Sequence, residues 1–170
     1  MDNPLNLEEN NNMRIWDKVE KTDPAFTKYV NMRGGFTSID AMYRVKLATQ
    51  EWGPYGSTWG VKDLNFDYIR GPKTAKTEEG TIVLEDAILG EALTATFYYP
   101  SGEFELGTDL RPLGDDSRKK LLTDLTTKAL SKLGFNADVY MGTFEDDKYE
   151  EGKDSTSKKE GPSKPQVKMF

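Results

Sequence analysis

Acidic side chains are the first candidates for chemistry, because the chain carries 29 Asp and Glu. Two such carboxylates held together could bind magnesium and activate a water for phosphodiester cleavage. Asp86 and Glu91 lie close in sequence, and Asp115 and Asp116 are adjacent. The second pair reads more simply as charge at a helix N-terminus, where the macrodipole favours it. Glu85 and Asp86 read as the solvated end of a strand. No lysine or strand-end acid accompanies either pair in the way a metal-dependent nuclease needs, so no catalytic and no metal-ligating residue is assigned. Histidine and cysteine are both absent, which removes imidazole-based triads, thiol nucleophiles, Cys/His zinc sites and disulfides. The string Gly71-Pro72-Lys73-Thr74 lacks the second glycine and the spacing of a phosphate loop. No cofactor is expected.

Basic residues are more informative. From Arg14 to Lys46 there are seven Lys and Arg against four acids, and from Arg111 to Lys132 six against three. The compensating acid lies between Glu78 and Glu91 and between Asp138 and Glu151. A net charge of -6 argues against coating duplex DNA by bulk charge, yet it leaves room for one basic face. Arg118, Lys119 and Lys120 open a helix, where cations oppose the dipole. They either solvate its first turns or are kept there by phosphate contact. Tyr55 falls in a Gly-Pro-rich turn, where an exposed ring could stack on a base. Tyr29, Phe36, Tyr43, Trp52, Trp59 and Phe66 are interspersed with the basic residues and read mainly as core.

These residues need elements to position them. Ile15 to Lys21 forms a short helix that Asp23-Pro24 ends. After the tight turn Arg33-Gly34-Gly35-Phe36, Thr37 or Ser38 caps a helix carrying Ile39, Met42, Tyr43 and Leu47 on one stripe, with Arg44, Lys46 and Gln50 at or beyond its borders. Trp52-Gly53-Pro54 terminates it. Trp59 to Ile69 is rich in β-formers and alternates imperfectly; it is expected as a strand. Arg70 to Gly80 reads as a loop. Thr81 to Tyr99 is a second strand, bent at Gly90, with Leu93, Ala95 and Phe97 alternating against Thr94, Thr96 and Tyr98. Pro100-Ser101-Gly102 turns the chain into a third strand from Glu103 to Leu110. Asp115, Asp116 or Ser117 then caps the longest helix, which buries Leu121, Leu122, Leu125, Ala129, Leu130 and Leu133 and ends at Gly134. The fold class is α+β: a three-stranded antiparallel meander with helices packed on one face. Its open sheet edges invite pairing with another chain.

The order of these pieces resembles a known family. Arg33-Gly34-Gly35-Phe36, the helix ending in Ala48 to Gly56 (ATQEWGPYG), then Trp59, and the long helix from Ser117 through Lys128-Ala129-Leu130 to Leu133-Gly134 resemble the single-strand annealing proteins of phage recombination. They also resemble the eukaryotic annealing protein Rad fifty-two. The match covers about Val30 to Tyr149. It implies a β-β-β-α annealing core that assembles into rings or filaments and pairs complementary strands without ATP. Carried over by position, Lys128 matches a groove arginine, Thr127 and Ser131 stand where the eukaryotic relative is basic, and Lys132 can substitute from one step along. Arg33 falls near another basic groove residue.

The expected single-stranded DNA contacts are therefore Arg33, Arg44, Lys46, Tyr55, Arg118, Lys119, Lys120, Lys128 and Lys132. The expected partners are single-stranded DNA, other copies of the chain, and a phage exonuclease or a host single-strand binding protein. The alternatives from the same residues are a coat protein that binds without annealing and a structural or adaptor protein. Residues 1–13 and 150–170 are expected to be disordered, and 14–149 to be the annealing domain. With no secretory signal and no long apolar run, the chain is expected in the cytoplasm of a bacterial host.

Overall fold

The computed structural model describes residues 11–144. The expected tail at 150–170, and the N-terminal residues before Asn11, lie outside the described residues. Asn11 to Arg14 form a turn, with the Arg14 N–H donating to the Asn11 carbonyl at 3.1 Å. The elements run in the order α1 (Trp16–Val19), a short 3-10 turn (Pro24–Phe26), β1 (Thr27–Val30), β2 (Phe36–Ile39), α2 (Ala41–Trp52), β3 (Gly60–Lys76), β4 (Ile82–Tyr99), β5 (Gly102–Gly107), α3 (Ser117–Lys132) and α4 (Ala137–Tyr140). The chain divides into two compact units, one formed by residues up to Tyr43 and from Gly134 onward, the other by Arg44–Leu133. No helix among the described residues is long and apolar enough to cross a membrane.

The first unit is built on a β1–β2 hairpin, a two-stranded antiparallel pair with Val30 opposite Phe36. Thr37 and Ser38 were expected to cap a helix; instead they lie in β2. The cap is Asp40, whose carboxylate accepts from the Met42 N–H at 2.8 Å and the Tyr43 N–H at 3.3 Å. The reason is the turn: Arg33, Gly34 and Gly35 all take positive φ, which folds two short β-forming runs back on each other. Phe26 stacks on Tyr43 with ring centroids 4.4 Å apart. A buried polar network ties α4 and its preceding residue Asn136 to Thr22. The Asp138 carboxylate accepts from the Thr22 N–H at 2.8 Å and its hydroxyl at 2.5 Å, and the Asn136 amide donates to that hydroxyl at 3.0 Å. Gly134 sits under the Trp16 ring at φ +98°, and a Cβ there would lie 2.6 Å from it.

The second unit is the expected meander, strand order β3-β4-β5, all antiparallel. Leu93, Ala95 and Phe97 of β4 are buried, while Thr94, Thr96 and Tyr98 alternate with them at intermediate exposure. α3 packs on this sheet, mainly on β4, through the fully buried Leu121, Leu125 and Ala129. Each buried leucine contributes about 1.5–3 kcal/mol. Trp59 fills the far end. It lies 6.2 Å from Phe97 and 6.0 Å from Trp52 by ring centroids, and its indole N–H donates to the Gly53 carbonyl at 2.7 Å.

The imperfect alternation of β3 has a local cause. Lys62 pairs with Thr96 but Asn65 pairs with Thr94, so β3 holds one extra residue there, and Asp63 takes φ 54°. This bulge switches parity, which lets Val61 face Phe97 and Phe66 face Leu93 across the ladder. A second shift between Ile69 and Arg70 leaves Leu89 as the extra residue of β4 beside Gly90. Gly90 has no room for a side chain, because the Arg111 carbonyl oxygen and the Leu110 side chain would lie 2.2 and 2.1 Å from a Cβ.

Two other expectations are corrected. Arg70 to Gly80 is not a loop: β3 runs on to Lys76, paired with Ile82, and only Thr77 to Gly80 turns. That stretch is a two-stranded ribbon with solvent on both faces, so no burial imposes the apolar alternation by which strands are recognised. The β5 ladder ends at Gly107 rather than Leu110, although the chain stays beside β4, where Glu91 and Arg111 exchange backbone hydrogen bonds of 2.8 and 2.9 Å. At α3, Asp116 takes the cap position without a side-chain cap hydrogen bond; its carboxylate is held by Lys120 at 3.1 Å.

Candidate nucleic-acid interface

The five expected cations on α3 differ in how they are held. Arg118 reaches onto the sheet. Its Nε and Nη2 donate to Glu91 Oε1 at 3.0 and 2.7 Å, and its guanidinium lies 4.7 Å from the Phe66 ring centroid. Glu91 is 2% exposed, so a buried carboxylate is neutralised by a side chain that remains more than half in water. The hydrogen bond and charge of Glu91 raise the Arg118 pKa above its ordinary value. Lys120 pairs one turn back with Asp116, an exposed pair that lowers the aspartate's pKa. Lys128 Nζ donates to the Gly107 carbonyl at the end of β5, 2.7 Å away. Lys119 and Lys132 are exposed.

These contacts supply a reason, other than phosphate, for cations at the start of α3. Arg118 serves the sheet and Lys120 serves Asp116. An arginine absent from the expected set does similar work: Arg111 makes a two-pronged bond to Asp124 of α3, at 2.6 and 3.2 Å, which raises the arginine's pKa. Three of the four acids weighed as metal ligands are engaged too. Asp86 accepts from Arg70 at 3.1 Å, and Glu91 and Asp116 are paired as described. Among the described residues, no three Asp, Glu, His or Cys side chains are grouped to hold a metal ion.

The remaining expected contacts fall as follows. Lys46 is exposed on α2. Arg44 is not at the border of an exposed stripe; it is 7% exposed. Tyr43, Arg44 and Ala48 are the buried positions of α2, so the inward face is centred one residue away from the expected stripe, and Met42 is 70% exposed. Tyr55 is 47% exposed and stands edge-on to Trp59 at 5.1 Å, held in the turn by a parallel bridge to Trp59. Arg33 is exposed at the tip of the β1–β2 hairpin. Sequence reasoning placed Tyr29 and Phe36 in the core, yet they are 57% and 48% exposed, with Met32 beside Arg33 at 64%. The signal was present in the run Thr27 to Ile39, two short β-forming segments around glycines, with Lys28 and Arg33 and no acid.

No protein-family model matches the chain, and no curated protein sequence matches it.

Proposed function

We propose that this protein binds single-stranded DNA and anneals complementary strands without nucleotide hydrolysis, in phage-type homologous recombination within a bacterial cell. In this reading it is not an enzyme. It acts as a homo-oligomeric ring or filament, with a phage exonuclease or host single-strand binding protein as further partners. The observation that carries the reading is α3 laid on a three-stranded meander with Lys119, Lys128 and Lys132 exposed along it. That element order and that helix are the ones whose residues resemble the annealing family.

The mechanism follows from charge. Lysines neutralise phosphates and release counterions, which removes repulsion between two strands. An exposed ring such as Tyr55 supports a base by stacking. Pairing then draws on base stacking and hydrogen bonding that the protein does not supply. Purified protein mixed with two complementary oligonucleotides accelerates duplex formation without nucleotide or metal. Equal rates with and without protein overturn the reading. A coat protein that binds and does not anneal is the second reading, favoured by the protein partners already taken by Arg118, Lys120 and Lys128, which thin the groove. Slower duplex formation in the same assay identifies it.

A further inference from the structure

The base of the β1–β2 hairpin borders an open cavity of about 300 Å³, whose lining includes Phe26, Lys28, Ser38 and Asp40. Small-ligand sites begin at about that volume. The register explains why these residues meet. Lys28 stands opposite Ser38, so the two side chains leave one face. The Asp40 N–H donates to the Phe26 carbonyl at 3.0 Å, which carries the pairing one step further toward α2. Three polar groups of different kinds converge on the cavity. Asp40 uses only Oδ1 for the α2 cap, accepting from the Met42 and Tyr43 N–H groups; Oδ2 has no partner among the described residues. Lys28 lines the same cavity, yet it pairs neither with Asp40 nor with any other described acid. The Ser38 hydroxyl is also without a partner among the described residues.

This mixture defines the ligand. A bare anion suits Lys28 and is repelled by Asp40, while a metal ion suits Asp40 and is repelled by Lys28. A ligand that satisfies both carries a negative group and a hydrogen-bond donor. Phe26 adds a flat surface: it is 37% exposed and backed by Tyr43, stacked on it at 4.4 Å. A nucleotide has a phosphate, a ring to stack and donors on its base edge. The surroundings favour a nucleotide within a strand. Phe36 shares the face of Lys28 one rung nearer the hairpin tip and is 48% exposed. Thr27 to Ile39 holds Lys28 and Arg33 and no acid. A lone small zwitterion would leave that second ring and second cation uncovered. On the base edge, carboxylates accept from the cytosine amino group. Thymine has a carbonyl oxygen in its place, which a carboxylate repels.

We propose that this cavity takes a nucleotide whose base carries an amino group, supplied by a single strand. The base lies against Phe26, its amino group donates to Asp40 Oδ2, its phosphate meets Lys28, and the neighbouring base meets Phe36. The inference rests on the single-strand binding of the proposed function and adds a base preference to it.

The test uses the full chain at neutral pH and the anisotropy of labelled oligodeoxycytidine and oligodeoxythymidine of equal length. The wild type binds the cytidine oligomer at least about threefold more tightly. Asp40→Asn keeps the helix cap, because asparagine caps as well as aspartate, and sets an amide donor where Oδ2 was. The preference therefore disappears or reverses. Lys28→Ala weakens both oligomers alike and lowers the slope of log affinity against log salt by about 0.7. Far-UV circular dichroism equal to wild type establishes that each variant is folded. Equal wild-type affinity for the two oligomers, or a preference that survives in folded Asp40→Asn, overturns the inference; if annealing persists, the proposed function stands without it. A wild type that binds neither oligomer rejects the proposed function, and equilibrium dialysis with labelled deoxycytidine monophosphate then decides the cavity. Saturable retention that Asp40→Asn and Lys28→Ala remove supports a nucleotide pocket, and no retention overturns it.

Discussion

Glu91 is buried in the sheet and receives both hydrogen bonds from a single arginine, Arg118, whose guanidinium lies over Phe66. A carboxylate in that position needs a partner, since an uncompensated buried charge is strongly destabilising. Arg118→Ala therefore lowers the urea midpoint more than Glu91→Gln does, because the alanine variant leaves the acid buried. Arg118→Lys falls between wild type and Arg118→Ala, since an ammonium replaces the charge but not the planar fork. Circular dichroism through the transition measures all three. Equal midpoints for wild type and Arg118→Ala would show that the pair contributes nothing.

The pair also ranks the cations for binding. Lys119 and Lys132 are exposed and Lys128 holds only a carbonyl. Lys128→Ala with Lys132→Ala weakens oligonucleotide binding and reduces the slope of log affinity against log salt by roughly 1.4, about 0.7 per lost contact. Arg118→Ala changes the slope less, being already paired. Stability of the double variant stays within about 1 kcal/mol of wild type, as expected for exposed charges. Wild-type affinity and slope in the folded double variant place the groove away from α3.

Gly134 closes the first unit. Gly134→Ala meets two obstacles, a positive φ and the Trp16 ring 2.6 Å from the new methyl. The backbone alone costs about 1–2 kcal/mol, and displacing Trp16 adds to it. A urea midpoint for Gly134→Ala equal to wild type contradicts the packing described here.

Binding and stability stay flat between pH 6 and 8, because the chain has no histidine to titrate there. The resolved shifts act outside that window. Asp116 has its pKa lowered, first by the Lys120 hydrogen bond. Its contribution is therefore present above the ordinary carboxylate pKa, about 4, and is lost as pH falls through the folded value. Lys62 is raised, chiefly by its hydrogen bond to Glu103, so its contribution is present below the ordinary lysine pKa and is lost as pH rises through the folded value. Both pairs are exposed and their effects are small. A transition in thermal midpoint between pH 6 and 8 contradicts this account.

Much of the meander was legible because burial on one face imposes a period of two. Leu93, Ala95 and Phe97 carried it, as did Phe104 and Leu106. The outer ribbon was illegible for the complementary reason: from Arg70 to Lys76 nothing is buried deeply enough to leave a pattern. α3 and its end at Gly134 could be read from leucine spacing, but its cations could not be assigned. Whether Arg118 faces a phosphate or Glu91 depends on a partner far away in the chain, on another element. Arg44 failed by one helical position, because which side of α2 turns inward is set by contacts rather than by the stripe itself. The β1–β2 hairpin was missed where a cap signal at Thr37 and Ser38 competed with a glycine turn, and the turn prevailed.

The three tryptophans are divided between the units: Trp16 packs over Gly134 in the first, and Trp52 and Trp59 stand 6.0 Å apart in the second. The molecule thus carries its own optical labels. Two indoles so close and inclined at 56° couple as an exciton pair, a circular-dichroism signature that belongs to the second unit alone. Trp16→Phe would silence emission from the first unit, and whether the units melt together or separately becomes readable without attached dyes. Because the chain has no cysteine, a single engineered thiol would add one distance to either reporter.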